Sequence, residues 1–154
     1  MSKEVQSQIA NECGFDIPES IRSTDVKAFK RWSTFPCIVK PAESINGSKS
    51  DIKICHTSDE LNIAMQEFKD KEFQLQQFID KSAEFQLIGC SLDHGEKCLI
   101  PGYTSIIRQP DNTNTGYLLY KGMDEFLSKE FLNKAHQFLK SIGYEGLFSL
   151  EFLR

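Results

Sequence analysis

Apolar and polar positions alternate along this chain in two rhythms, and the rhythm changes mark its elements. Val5, Ile9 and Cys13 recur at every fourth position and predict a helix over 2–13, with Gly14 as its stop. The segment FDIPES reads as a connector, and Ser23-Thr24-Asp25 as a cap for a short helix over VKAFKRW. Positions 35–40 read as a strand, Asn46-Gly47 as a turn, and 51–55 as the returning strand. Thr57-Ser58-Asp59-Glu60 matches a capping box, and the helix that follows carries Leu61, Met65 and Phe68 on one face.

Further strands are expected at 73–79, at 84–91 and at 97–108, the last broken near Pro101-Gly102. Asp93-His94-Gly95-Glu96 reads as a hairpin turn. Positions 109–116 read as a polar loop and 117–120 as a short strand. Ser128 opens a strong helix whose apolar stripe is Leu127, Phe131, Ala135, Phe138 and Ile142, closed by Gly143; 147–153 reads as a final strand. Neither an internal repeat nor a low-complexity segment is evident. SLEFLR stops in the middle of a strand pattern, so the sequence reads as part of a longer parent whose remaining residues complete the site.

Composition narrows the classes. The 154 residues are 40% hydrophobic and 26% charged, as in a globular protein, and twelve Phe supply an apolar interior together with Trp32. The net charge of -4 gives no basic field for nucleic acid or an anionic membrane. The start has no apolar stretch of signal-peptide length, and nothing approaches a membrane span. Five cysteines without a C-x-x-C read as reduced packing thiols and favour a cytoplasmic setting. His56, His94 and His136 show no metal-binding spacing.

Three stretches, KPAESINGSK (40–49), LQQFIDKSAEFQL (75–87) and SIGYEGLFSLEF (141–152), occur in an order and spacing that resembles the ATP-grasp family. The likeness extends over nearly all of the chain and is greatest to its carboxylate–amine ligases and carbamoyl-phosphate-synthase-like members. It implies an α+β fold, antiparallel sheets with flanking helices forming two small lobes around a nucleotide cleft. In that frame 1–34 is an opening helical part, 35–80 the small lobe, and 81–154 the start of the large lobe.

The resemblance also implies roles. Lys40, the lysine before the proline, reaches nucleotide phosphates as a mobile point charge. Ser44, Gly47, Ser48 and Lys49 belong to a loop lying over those phosphates, where small residues let backbone N–H groups approach. Gln76, Gln77, Phe78 and Ile79 border the adenine, Glu84 accepts from the ribose hydroxyls, and Lys3 matches a first cationic position. Glu151 supplies a magnesium ligand, and Arg108 steadies a transferred phosphoryl or carboxylate. The cofactors implied are ATP and Mg2+, the other partner a small carboxylate substrate. The activity implied is formation of an acyl phosphate for attack by an amine, with these 154 residues alone inactive.

Departures from the pattern keep other readings open. Ser50-Asp51 stands where the family usually has a second glycine after the lysine, and an aspartate near a polyphosphate is repulsive at short range. Gln76 and Gln77 replace a frequent glutamate. The family's second acidic strand is absent from these residues. A nucleotide-binding or regulatory module without ligase chemistry fits these departures, and a phosphotransferase shares the same nucleotide residues. A lysine at a strand end followed by Asn-Gly is also compatible with an ordinary solvated hairpin.

Overall fold

The computed structural model describes residues 3–42, 52–68, 71–108 and 115–154. They form three α-helices, α1 (Lys3–Glu12), α2 (Ser58–Gln66) and α3 (Lys129–Ser141). The eight strands are β1 (Ser20–Ser23), β2 (Cys37–Pro41), β3 (Lys53–Cys55), β4 (Phe73–Gln77), β5 (Glu84–Leu92), β6 (Lys97–Arg108), β7 (Thr115–Gly122) and β8 (Gly146–Leu153). The chain divides into two compact units, one of 18–80 and one of 1–17 with 81–154. Each is built on a four-stranded antiparallel sheet.

In the 18–80 unit the strand order is β1-β4-β2-β3. Cys37 and Val39 of β2 and Phe73 and Leu75 of β4 alternate onto one face, where they are buried with Leu61, Ala64 and Met65 of α2 and with Phe68. Spacings of three, four and seven from Leu61 put these α2 residues and Phe68 on a single helical stripe. Thr57 caps α2 by accepting from the Glu60 N–H at 3.2 Å, and the Glu60 carboxylate accepts from the His56 N–H at 2.7 Å. The capping box therefore closes one residue earlier than its usual reciprocal bond. The helix expected over VKAFKRW is a 3-10 helix, Val26–Arg31, capped by Asp25, whose carboxylate accepts from the Lys27 N–H.

In the other unit the order is β7-β6-β5-β8. Phe85 and Leu87 of β5, Tyr103 of β6 and Ala135 of α3 form the buried centre, with Phe15, Phe126, Phe131, Leu150 and Phe152 packed against it. Aromatic rings touch in a chain: Phe85 lies 5.5 Å from Phe152 and 5.1 Å from Phe126, and Phe131 lies 4.8 Å from Phe152. α1 and α3 end alike. Gly14 and Gly143 have φ of 85° and 60°, and the N–H after each reaches back to a carbonyl five residues earlier, Phe15 to Ala10 and Tyr144 to Leu139. Glycine at that position relieves the left-handed backbone and satisfies end carbonyls.

The observed elements depart from the pattern in four places. Ser20–Ser23, which runs from the end of the expected connector to the first residue of the expected helix cap, is captured as an edge strand by β4, with Ile21 opposite Leu75. β6 runs unbroken through Pro101-Gly102. β7 extends over eight residues because seven of them pair with β6, the register shifting past Gly116, rather than relying on its own pattern. The stretch 1–34 is shared between the units, since α1 packs on α3 while β1 pairs with β4.

Candidate functional site

Two groups of candidate residues lie on the sheet faces turned away from the helices, one in each unit. In the 18–80 unit, alternation places Lys40 of β2 and Gln76 of β4 opposite the face buried against α2. The Lys40 ammonium donates to the Gln76 side-chain carbonyl at 3.0 Å. Register explains the contact: Lys40 pairs with Gln74 and Ile38 with Gln76, so Lys40 and Gln76 are diagonal neighbours. Gln77 and Phe78 spend their N–H groups on the Glu19 and Pro36 carbonyls, at 2.8 and 3.0 Å. Ile79 is half-buried just beyond β4. Ser44, Gly47, Ser48 and Lys49 of the proposed phosphate loop, and Ser50-Asp51, lie outside the described residues.

The second group is a charge cluster on the open face of β5, β6 and β8. Glu84 opens β5, is 4% exposed, and is clasped by two cations. The Arg108 guanidinium, at the end of β6, donates through Nη2 to Oε1 and through Nε to Oε2, the latter at 2.9 Å. The Lys81 ammonium donates to Oε2 at 2.6 Å. Glu151 of β8 pairs in register with Gln86 and is thus diagonal to Glu84, on the same face of the sheet.

The Arg108 hydrogen bonds, aided by Lys81, outweigh burial and hold the Glu84 carboxyl far below its ordinary value, at about 2. Glu151 moves the other way: burial of its carboxyl end and the adjacent Glu84 charge raise its pKa, although the residue as a whole is exposed on an edge strand. The outcome is one firmly ionised carboxylate and one that keeps a proton more readily. The Glu84 charge in turn raises the pKa of Arg108.

Of the residues named from sequence, the fold brings together Lys40 with Gln76, and Glu84 with Arg108 and Glu151. Lys3 is the first residue of α1. Lys81 was missed; its only local signal is a cation three residues before the acid. Among the described residues no group of three or more His, Cys, Asp or Glu side chains gathers as a metal site. Glu151 suits magnesium only as a single hard oxygen donor beside substrate phosphates, because the Glu84 charge is already matched by two cations. No helix among the described residues is long and apolar enough to cross a membrane.

No protein-family model and no curated protein sequence matches this chain. Solved structures do. The D-Ala:D-Ser ligase VanG of Enterococcus faecalis superposes with a TM-score of 0.69 at 18% identity, over 99% of this chain and 48% of its own. An L-amino acid ligase of Bacillus licheniformis gives 0.71 at 17%, over 98% and 36%. An N5-carboxyaminoimidazole synthetase of Staphylococcus aureus, complexed with ADP, gives 0.73 at 13%, over 98% and 40%. The chain therefore spans less than half the length of each. Two antiparallel four-stranded sheets with three helices, superposing along their whole length on these enzymes, give this chain the ATP-grasp fold of the ATP-dependent ligases.

Proposed function

We propose that the chain is the nucleotide-binding part of an ATP-dependent carboxylate–amine ligase. The observation that carries this reading is the convergence of Glu84, Arg108 and Glu151 on one open sheet face in an ATP-grasp fold. Structurally similar proteins include ones described as complexed with ATP and with ADP. In this reading Glu84 accepts from the ribose hydroxyls, Gln76, Gln77, Phe78 and Ile79 border the base, and Lys40 neutralises phosphate oxygens. The loop bearing Ser44, Gly47, Ser48 and Lys49 covers the phosphates, and Lys3 adds a further cation. Glu151 would hold magnesium, which supplies charge neutralisation across the phosphates when bound.

The chemistry this arrangement serves is electrostatic. A carboxylate oxygen of the substrate forms a bond to the terminal phosphorus of ATP as the bond to the ADP oxygen breaks, and ADP leaves with the electron pair. An amine then attacks the acyl carbon, phosphate departs with the electrons of its C–O bond, and the amine loses a proton. As protonated cations, Lys40 and Arg108 offset negative charge that moves toward the ADP oxygen, and no proton transfer from them is required. Positioning and charge are the protein's main contributions to such a transfer.

Titration calorimetry of the 154-residue chain with ATP and Mg2+ tests the reading. Saturable binding lost in Glu84→Gln supports it; heats that ignore both Glu84 and Lys40 would refute it. A nucleotide-binding module without ligase chemistry is the second reading, favoured by Gln76 standing where the family often carries glutamate and by its engagement with Lys40. Loss of ATP without formation of an amide product in the parent protein selects a phosphotransferase, and binding without any ADP formation selects the module.

A further inference from the structure

The side-chain amide of Gln76 has a fixed orientation. The Lys40 ammonium carries N–H donors and no acceptor, so the end of the amide 3.0 Å from it is the oxygen, Oε1. The reversed amide would set its NH2 group against the ammonium, donor against donor. Lys40 makes other interactions as well, and none of them changes which end of an amide can face an ammonium. Nε2 is thereby directed away from Lys40, and among the described residues it donates to no other group.

The surroundings suit a flat ring. Ile38 lies directly opposite Gln76, and Ile54 directly opposite Ile38, so the three form a cross-strand row on the open face of the 18–80 unit. Ile38 is half-buried and Ile54 is 49% exposed. Two branched apolar side chains beside one oriented amide make a shelf with a polar reader at its edge, the composition that suits a small planar ligand. A glutamate in the same place would present only acceptors, which match the 6-amino group of adenine and repel a 6-oxo group. Nε2 presents N–H donors instead. Against an amino group it is donor facing donor; against a 6-oxo group it is donor facing acceptor.

We propose that Gln76 is a base-specificity residue that admits 6-oxopurine nucleoside triphosphates on at least equal terms with ATP. The Lys40 ammonium holds Oε1 and so turns the amide nitrogen toward the base. A polar group mispaired against a ligand is what such a site penalises most, so a single side-chain atom, nitrogen in place of oxygen, decides the selection. The inference rests on the nucleotide reading above and widens its substrate class from adenine nucleotides to purine nucleotides with an acceptor at position 6.

The test is calorimetric titration of the 154-residue chain with ATP and, separately, with ITP, each with Mg2+. ITP carries a 6-oxo group where ATP carries the amino group. The wild type binds ITP at least as tightly as ATP. In Gln76→Glu, whose carboxylate still faces the Lys40 ammonium, ITP binds at least tenfold more weakly than ATP. A merely structural role for Gln76 would move both ligands together and leave their ratio unchanged in the variant. A wild type that prefers ATP threefold or more shows that another acceptor reads the amino group, and it overturns this inference alone; so does a folded Gln76→Glu chain with the wild-type ratio. The wild-type comparison decides the matter even where the variant fails to fold. A wild type that takes up neither ligand overturns the nucleotide reading as well.

Discussion

Arg108 grips both carboxylate oxygens of Glu84 from the far end of β6, leaving a 4%-exposed acid fully ionised. Removing one member of so buried a pair strands the other without its charge partner, the costly kind of polar burial. Arg108 itself is a quarter exposed and Lys81 remains, so the penalty falls below that of a fully enclosed pair.

Acid stability follows from the same pair. The folded pKa of Glu84 is depressed from 4.5 to about 2, so its contribution is fully present above about 4.5 and is lost as pH falls toward 2. The shift corresponds to on the order of 3 kcal/mol as an upper figure for a nearly enclosed group. Urea denaturation between pH 2 and 6 should show a steep loss of stability in the wild type and a shallower one in Glu84→Gln. Equal slopes in the two proteins would show that this carboxylate is not the acid-sensitive element.

Glu151 pulls the opposite way. Its folded pKa is raised, so the folded state favours its protonated form, and that advantage is lost as pH rises through the folded value. Glu151→Gln should therefore raise the melting temperature at pH 7 and have no such effect at pH 4, where the wild-type group is already largely protonated. The same variant should lose any magnesium dependence of nucleotide binding. A melting temperature lowered at neutral pH would mean that the two carboxyl groups do not repel.

Lys40→Ala separates binding from folding. Lys40 is half-buried at the end of a sheet face and donates to Gln76 at 3.0 Å, so its loss should change stability by less than about 1 kcal/mol. ATP affinity should fall about tenfold or more, equivalent to about 1.4 kcal/mol. Thermal melts paired with ATP titration check both halves; a large melt shift with intact affinity would make Lys40 a structural residue.

The thiols of Cys37 and Cys55 should resist labelling. They face one another in register across β2 and β3 and are 0% and 1% exposed. Burial, with Cys55 alongside, pushes Cys37 up to about 12, and burial raises Cys55 as well. The thiolate is the reactive form, so both should remain unmodified by a thiol reagent at pH 8 until denaturant is added. Rapid labelling of either in the folded chain, followed by mass spectrometry, would contradict the enclosed arrangement.

Phe85 tests the core of its unit. Its ring contacts Phe152, Phe126, Phe131 and Tyr103 at centroid distances of 5.1–5.9 Å. Phe85→Ala should cost about 3–5 kcal/mol in urea denaturation, since four rings lose a shared partner and cannot all close the gap. A cost below about 1 kcal/mol would mean that the neighbouring rings repack freely.

The residues by themselves determined the kind of each element wherever its signal was local. The Leu61–Met65–Phe68 stripe and the Thr57 cap specify α2, the Ser128 cap and Gly143 delimit α3, and alternation marks most strands, because propensity and capping act within a few positions. Tertiary structure alone decided what depends on register. Ser20–Ser23 became a strand only because β4 offered an unsatisfied edge, and the short pattern of β7 lengthened because β6 supplied pairing partners. The contacts of Lys40 with Gln76 and of Arg108 with Glu84 join residues 36 and 24 positions apart. No local pattern encodes such a meeting. It is set by which strands pair and where bulges shift them, and a shift of one residue would turn each of these side chains to the opposite face.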